Sequence, residues 1–93
     1  MSHPHHYDLD GAKALGDRLG VDWTKIEVEQ FRKGLEVEFE HGSDDPQTNV
    51  TNDDPILTGK IAWAHVKEIR DYYDRLEEME AEGEAYWEAA QAG

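Results

Sequence analysis

Apolar residues recur at steps of three and four along much of the chain, which is the spacing of an α-helix with one buried face. The clearest run ends at Gly42 and predicts a helix over roughly residues 28–41. A shorter run between Asp10 and Gly20 predicts an earlier helix, with Gly20 as its C-terminal cap. The apolar positions of the two runs are Ala14, Leu15, Leu19, Val28, Phe31, Leu35 and Phe39.

The second half of the chain contains two further helical patterns. Asp53 or Asp54 stands before Pro55, and an aspartate cap followed by proline at the first helical position is a start signal. The third helix is predicted to run from residue 56 through at least Ile69. Asp71 is positioned to cap a fourth segment, "YYDRLEEMEAEGEAYWEAAQ", which combines an apolar side with an acidic surface.

These patterns predict an all-α fold, because no stretch alternates apolar and polar residues for long enough to form a sheet. We expect one domain over residues 1–93, a bundle of three or four helices with a flexible tail at 1–9 and an acidic loop at 43–54. Val21, Trp23 and Ile26 should be buried where the chain turns into the second helix. The rest of the predicted core is Leu15, Leu19, Phe31, Leu35, Phe39, Leu57, Ile61, Trp63, Ile69 and Leu76.

Acidic residues outnumber basic ones by 22 to 9, which gives a formal net charge of -13. This excess argues against binding nucleic acid through its phosphates and against docking on anionic membranes. Cations or a protein with a basic surface are the expected partners. The chain has no cysteine, no signal-peptide pattern and no long apolar run, so we expect a cytoplasmic protein. His3, His5 and His6 could chelate metal, but we assign them no specific role because chain ends are usually mobile.

Two of the predicted helices each carry a histidine and a glutamate three residues apart. Glu38 and His41 flank the apolar stripe of the second helix, while His65 and Glu68 fall within the apolar face of the third. The loop of about a dozen residues allows the two helices to pack antiparallel, so the four side chains should converge. Such a set could hold zinc, iron, manganese or nickel.

A structural explanation of the same four residues is also open. In it, His65 bonds Glu38, and Glu68 pairs with Arg32 or Arg70, which makes an internal polar network that fixes the helix register. A buried glutamate needs such partners because desolvating its carboxylate is costly. The metal hypothesis and the network hypothesis share the prediction that the side chains meet between the second and third helices.

The loop between these helices is a candidate binding loop. It is rich in Asp, Asn, Thr and Pro, and its acidic residues could add ligands to the His and Glu set, although their spacing does not match a calcium-binding loop. The candidate residues are Asp44, Asn49, Thr51, Asp53 and Asp54.

Nothing in the sequence resembles a catalytic site, because it lacks a nucleophile with an orienting base and a phosphate-cradling loop. We therefore expect a non-enzymatic protein. In the fourth helix, Tyr72, Tyr73, Tyr86 and Trp87 could belong to the core or contact a partner, and "RLEEMEAEGE" could be a solvated face or a partner surface.

Four stretches in order, "LGDRLGVDW", "EQFRKGLEVEFEHG", "TNVTNDDPILTGKIAWAH" and "KEIRDYYDRLEEME", resemble a family of small uncharacterised bacterial and phage proteins, a domain of unknown function. The resemblance spans about residues 14–80. Relatives commonly carry a proline before the "DYY" element, where this chain has Arg70, so we expect its helix to continue through that point.

The resemblance implies one structural unit and a phage or mobile-element setting, and it assigns no activity. We expect an acidic accessory protein that binds a protein partner and holds a divalent metal at the His and Glu residues. A nucleic-acid mimic that blocks a host defence or regulatory protein is one alternative. A virion or assembly component is another, and the oligomeric state is left open.

Overall fold

The computed structural model describes residues 7–92, and this part of the chain contains four helices and no strand. The helices are α1 (Leu9–Leu19), α2 (Val28–Phe39), α3 (Pro55–Glu68) and α4 (Tyr72–Ala92). The predicted all-α fold is confirmed. The three histidines near the N-terminus lie outside the described residues.

The first helix ends at the predicted cap, Gly20, but it begins earlier than predicted, with Asp8 as its N-terminal cap. The Asp8 side chain accepts a hydrogen bond of 2.7 Å from the backbone N–H of Gly11, which caps the N-terminus of α1. Gly20 adopts the left-handed conformation with φ 93°, a backbone conformation that glycine reaches without steric cost. Tyr7 stacks on Phe39 of α2, with ring centroids 5.9 Å apart, so ordered packing begins inside the stretch predicted to be a flexible tail.

The helix α2 is central, because it contacts each of the other three helices. Its side chains Phe31, Leu35 and Phe39 are almost completely buried, as predicted. Around them lie the remaining buried apolar side chains, Ala12, Leu15, Val21, Ile26, Ala62, Val66 and Tyr73. Leu19, Trp23, Ile61, Trp63 and Leu76 are only partly buried.

The prediction that Leu57 and Ile69 belong to the core is wrong, since Leu57 is 46% exposed and Ile69 is 41% exposed. The buried residues of α3 are small: Thr58, Gly59, Ala62 and Val66. A Cβ atom on Gly34 of α2 would lie 2.9 Å from the Cβ of Ala62, so α2 and α3 approach closely at these two positions. Small residues therefore define the inner face of α3, and its larger apolar residues are turned partly towards solvent.

The chain breaks between α3 and α4, so the expectation of a continuous helix through Arg70 is wrong. Ile69 has extended backbone angles, φ -133° and ψ 111°, and its carbonyl accepts a hydrogen bond of 3.1 Å from the N–H of Tyr72. After this turn the first residues of α4 pack on α2. Tyr73 is 1% exposed there, and Lys33 Nζ on α2 lies 2.7 Å from Asp74 Oδ1.

Beyond Leu76 the fourth helix projects from the body of the protein, although Glu77 still pairs with Lys33 of α2 at 3.5 Å. Every residue from 77 to 91 is exposed, and we call this segment the arm. The described chain measures 48 × 26 × 25 Å, an elongated shape consistent with a projecting helix. None of the helices in residues 7–92 has the length and apolarity needed to cross a lipid bilayer.

Candidate functional site

A buried carboxylate lies where α2, α3 and α4 meet. Glu38 is only 8% exposed, and its Oε2 accepts a hydrogen bond of 2.8 Å from the hydroxyl of Tyr73. The same oxygen is 3.8 Å from Nε2 of His65. Burial, followed by the nearby Glu38 charge, raises the pKa of Tyr73 well above its usual value, so the tyrosine is a neutral donor to the carboxylate.

Aromatic packing holds the imidazole of His65 beside this carboxylate. Its ring stacks on Tyr72 at a centroid distance of 4.2 Å, with an angle of 10° between the planes. The edge of Tyr73 contacts the same ring at 6.1 Å and 90°. The structure therefore brings Glu38 and His65 together, and two adjacent tyrosines at the start of α4 fix their surroundings.

The other two predicted members of the cluster lie elsewhere. His41 is exposed and follows the end of α2, which stops at Phe39, two residues earlier than predicted. Glu68 is exposed at the last residue of α3, because the buried face of that helix passes through Ala62 and Val66. Within residues 7–92, no group of three or more His, Asp or Glu side chains is arranged to hold a metal ion.

Of the two contacts in the network hypothesis, the structure brings one pair near each other, at a distance longer than a hydrogen bond. Glu38 and His65 are close, but Glu68 forms no ion pair within the described chain. Arg32 instead pairs along its own helix with Glu29 and with Glu36, the latter at 2.7 Å. Sequence reasoning missed Tyr73 as the donor to Glu38. The available signal was the "DYY" element, but a tyrosine in a helical pattern does not reveal which carboxylate its hydroxyl will reach.

The loop between α2 and α3 is tied together by its own side chains. The carboxylate of Asp53 accepts hydrogen bonds from the backbone N–H of Ser43, at 2.9 Å, and from the Ser43 hydroxyl. Asp53 has φ 63°, and a Cβ atom on Gly42 would lie 2.1 Å from its Oδ1. Only a glycine therefore leaves space at position 42 for this contact, and the two ends of the loop are held together.

Most of the predicted binding loop has a similar structural role. The Asn49 side chain accepts from the N–H of Asn52 at 2.8 Å, and the buried Thr51 hydroxyl accepts from the N–H of Asp53 at 3.3 Å. The Asp54 carboxylate caps α3 by accepting from the next two N–H groups of the helix, at 2.8 Å and 3.1 Å. Asp44 is exposed. These contacts give Asn49, Asp53 and Asp54 structural roles that require no ligand.

The chain matches the family described as "Protein of unknown function (DUF5661)" over residues 12–82. It belongs to this family. The matched DUF5661 region contains α1 from its fourth residue onward, all of α2 and α3, the tied loop and the Glu38–Tyr73–His65 cluster. No curated protein and no solved structure matches the chain.

The end of the DUF5661 region falls within the arm. Residues 77–82 lie inside it, whereas Tyr86 and Trp87 lie beyond it. These two rings pack edge to face with centroids 5.1 Å apart, and each residue is 64% exposed. Met79 is 60% exposed on the same helix. The aromatic stripe predicted from the sequence is therefore divided: Tyr72 and Tyr73 pack against the body, while Tyr86 and Trp87 face solvent.

Proposed function

We propose that this member of the DUF5661 family is a non-enzymatic binding protein and that its arm docks onto a basic surface of another protein. The supporting observation is a fully exposed helical segment, residues 77–91, that contains six glutamates, three large apolar side chains and no lysine or arginine. A phage or mobile-element setting, implied by the earlier resemblance, belongs to this proposal.

The negative charges of the arm destabilise its own helix. Glutamates at positions 78 and 82, 80 and 84, and 84 and 88 are four residues apart, and like charges at this spacing destabilise a helix. The last turn of α4 carries no basic residue to offset the negative end of the helix dipole. A partner that supplies cations would relieve both effects, so the negative charge of the arm favours a partner with a basic surface.

The apolar side chains give the arm a contact face. Met79, Gly83 and Tyr86 follow Leu76 at steps of three, four and three, and Trp87 borders this row. Large aromatic side chains are common anchors in protein interfaces, and an isolated helix of this length is marginal in water. Pairing with a second copy would place acidic arms side by side, so a basic partner is favoured over self-association.

A defined peptide tests the proposal directly. The probe is an amphipathic helical peptide of leucine and lysine, and the control is the same peptide with glutamate in place of lysine. Titration calorimetry should detect binding of the lysine peptide and no binding of the glutamate peptide. The affinity for the lysine peptide should fall as salt rises, because salt screens the attraction between charges, with a screening length of about 8 Å at physiological ionic strength. The indole N–H signal of Trp87 should move in the nuclear magnetic resonance spectrum.

Two charge reversals separate docking at the arm from general attraction. Glu84→Lys lies in the arm and Asp44→Lys lies in the exposed loop, and both change the net charge equally. We expect Glu84→Lys to weaken binding of the lysine peptide much more than Asp44→Lys. Equal weakening by the two variants, or an unmoved Trp87 signal, would refute docking at the arm.

Nucleic-acid mimicry is the second candidate function, and the row of carboxylates without cations in the arm favours it. It differs from general binding in one measurable respect, because the partner should be a nucleic-acid-binding protein. Once a partner is purified, a mimic should displace DNA or RNA from it. Simultaneous binding of this protein and the nucleic acid would exclude mimicry and leave arm docking intact.

Metal binding at Glu38 and His65 is a separate prediction. Zinc, iron, manganese or nickel would need further ligands beyond these two side chains, and His41 and Glu68 are both exposed in this structure. If the site holds zinc, added zinc should raise the melting temperature of the wild type and a chelator should reverse the rise. His65→Ala should abolish this response, and an unchanged response in that variant would contradict the assignment.

A further inference from the structure

A basic cleft lies on the side of the body where the connection between α1 and α2 meets the end of α3. Its volume is about 470 Å³, within the range of small-molecule sites. Ile26 and Val66 are buried apolar residues of its lining, and the half-buried indole of Trp63 also lines it. The cleft therefore offers apolar and aromatic surface that a flat organic molecule could cover.

Three cations line the same cleft: Lys25, Lys67 and Arg70. The chain has nine lysines and arginines, of which Lys13, Arg32, Lys33 and Arg75 form ion pairs among the described residues. The three cations of the cleft form none there. Lys25 lies near Asp22 and Arg70 lies near Asp71, whose pKa values these cations help to lower, but neither cation forms a close ion pair.

The carboxylates of the cleft leave this positive charge largely available. Asp22 accepts hydrogen bonds from the hydroxyl and the backbone N–H of Thr24, at 2.6 Å and 3.0 Å, and these bonds, with a smaller effect of the Lys25 charge, lower the pKa of Asp22. Glu68 is exposed and forms no ion pair within the described chain. Three cations and two carboxylates leave one net positive charge, which suits a ligand with a single negative charge.

The ammonium group of Lys67 is already placed over the aromatic wall. Its Nζ lies 4.9 Å from the centroid of the Trp63 ring, within the range of a cation–π contact. An anion bound by this ammonium would sit next to the indole, so a ring attached to that anion could stack on Trp63. A polyanion would be repelled by the chain as a whole, whose formal net charge is -13.

We propose that the basic cleft binds a small aromatic monocarboxylate, with its ring against Trp63 and its carboxylate between Lys67 and Arg70. This inference does not depend on the arm, because the cleft and the arm share no residue. It gives the protein a small-molecule ligand in addition to the protein partner proposed above.

The chain contains three tryptophans, whose indole N–H signals test the proposal in one spectrum. Trp23 donates its N–H to Asp17, at 2.7 Å, and Trp87 lies on the arm, so both serve as internal references for Trp63. The probe is 1-naphthoate. It should move the Trp63 signal saturably and leave the two references in place. The neutral 1-naphthylmethanol and the ring-free acetate should both bind more weakly.

Variants that neutralise single cations of the cleft show where the carboxylate of naphthoate binds. Lys67→Gln and Arg70→Gln should each weaken binding of naphthoate by up to about fivefold, the upper end of the range for an exposed charge pair. Lys60→Gln is the matched control, because Lys60 is an exposed lysine on the same helix and does not line the cleft. A well-dispersed spectrum of each variant verifies its fold.

Three results would overturn the proposal. The first is a Trp63 signal that does not move with naphthoate, and the second is equal weakening by Lys60→Gln and Lys67→Gln. The third is a shift of both Trp63 and Trp87 with protein concentration in the absence of probe, which would assign the cleft to the arm of a second copy.

Discussion

The hydrogen bond between Tyr73 and Glu38 should be a large single contribution to stability. Replacing Tyr73 with phenylalanine keeps the buried ring and removes the hydroxyl that lies 2.8 Å from Glu38 Oε2. A hydrogen bond to a charged group contributes about 1.5–3 kcal/mol, and the carboxylate would keep only His65, at 3.8 Å. We therefore expect Tyr73→Phe to lower the free energy of unfolding by about 1.5–3 kcal/mol.

Urea unfolding followed by circular dichroism measures this change, and Tyr72→Phe is the matched control. Tyr72 is the neighbouring tyrosine, is half-buried and stacks on the same imidazole, but its hydroxyl has no hydrogen bond in the described chain. Its replacement should change the free energy of unfolding by less than about 0.5 kcal/mol. In thermal melts, Tyr73→Phe should lower the melting temperature by roughly 6–24 °C.

The hydrogen bond between Tyr73 and Glu38 should also make the free energy of unfolding depend on pH in the alkaline range. The pKa of Tyr73 is raised in the folded state, so its neutral hydroxyl stabilises the fold fully below its unfolded pKa of about 10. As pH rises above that value, the unfolded chain loses the proton first, and the contribution of Tyr73 falls by up to about 1.4 kcal/mol per pH unit. Tyr73→Phe should lose less stability over this window. Equal stability of Tyr73→Phe and Tyr72→Phe, together with identical alkaline profiles, would refute the reasoning.

Substitutions at two glycines and in the loop extend these tests. Gly34→Ala should destabilise the fold, since its Cβ would lie 2.5 Å from the ring of Tyr73, whereas Gly83→Ala has no atom within 4 Å and should raise helicity by circular dichroism. Asp53→Ala should lower the melting temperature by removing both bonds to Ser43, while Asp44→Ala should leave it unchanged. A stabilising Gly34→Ala, or equal effects of the two loop variants, would contradict the packing described above.

Local sequence signals predicted the helices well, because helix boundaries depend on neighbours in the chain. Asp54 and Pro55 begin α3 as expected, and Gly20 ends α1 in the left-handed conformation. Asp71 marked the start of the fourth helix, which begins at Tyr72, but the expectation that the helix continues through Arg70 was wrong, since no proline or glycine marks the break at Ile69. It depends on tertiary contacts, namely the burial of Tyr73 and the ion pair of Lys33 with Asp74.

The buried face of α3 differs from the predicted one, and this difference explains why only part of the candidate site was predictable. Large apolar residues such as Leu57 suggested an inner face that included Glu68, whereas close approach at Gly34 and Ala62 turned smaller residues inward. His65 lies at the edge of both faces and meets Glu38 in either case. A pattern of residue types in one sequence does not contain the distance between two helices, and that distance decides which face is buried.

The break between α3 and α4 makes the arm a lever fixed at one end. Its base is held by Tyr73 on Glu38, by Lys33 on Asp74 and by the stack of Tyr72 on His65, all within the first turn of α4. From Leu76 the arm extends about 22 Å at 1.5 Å per residue, so a 10° rotation at the base displaces its tip by about 4 Å. A force on the arm is therefore transmitted to the core through the hydrogen bond of a single buried carboxylate and a few neighbouring contacts, which include the ion pair of Lys33 with Glu77.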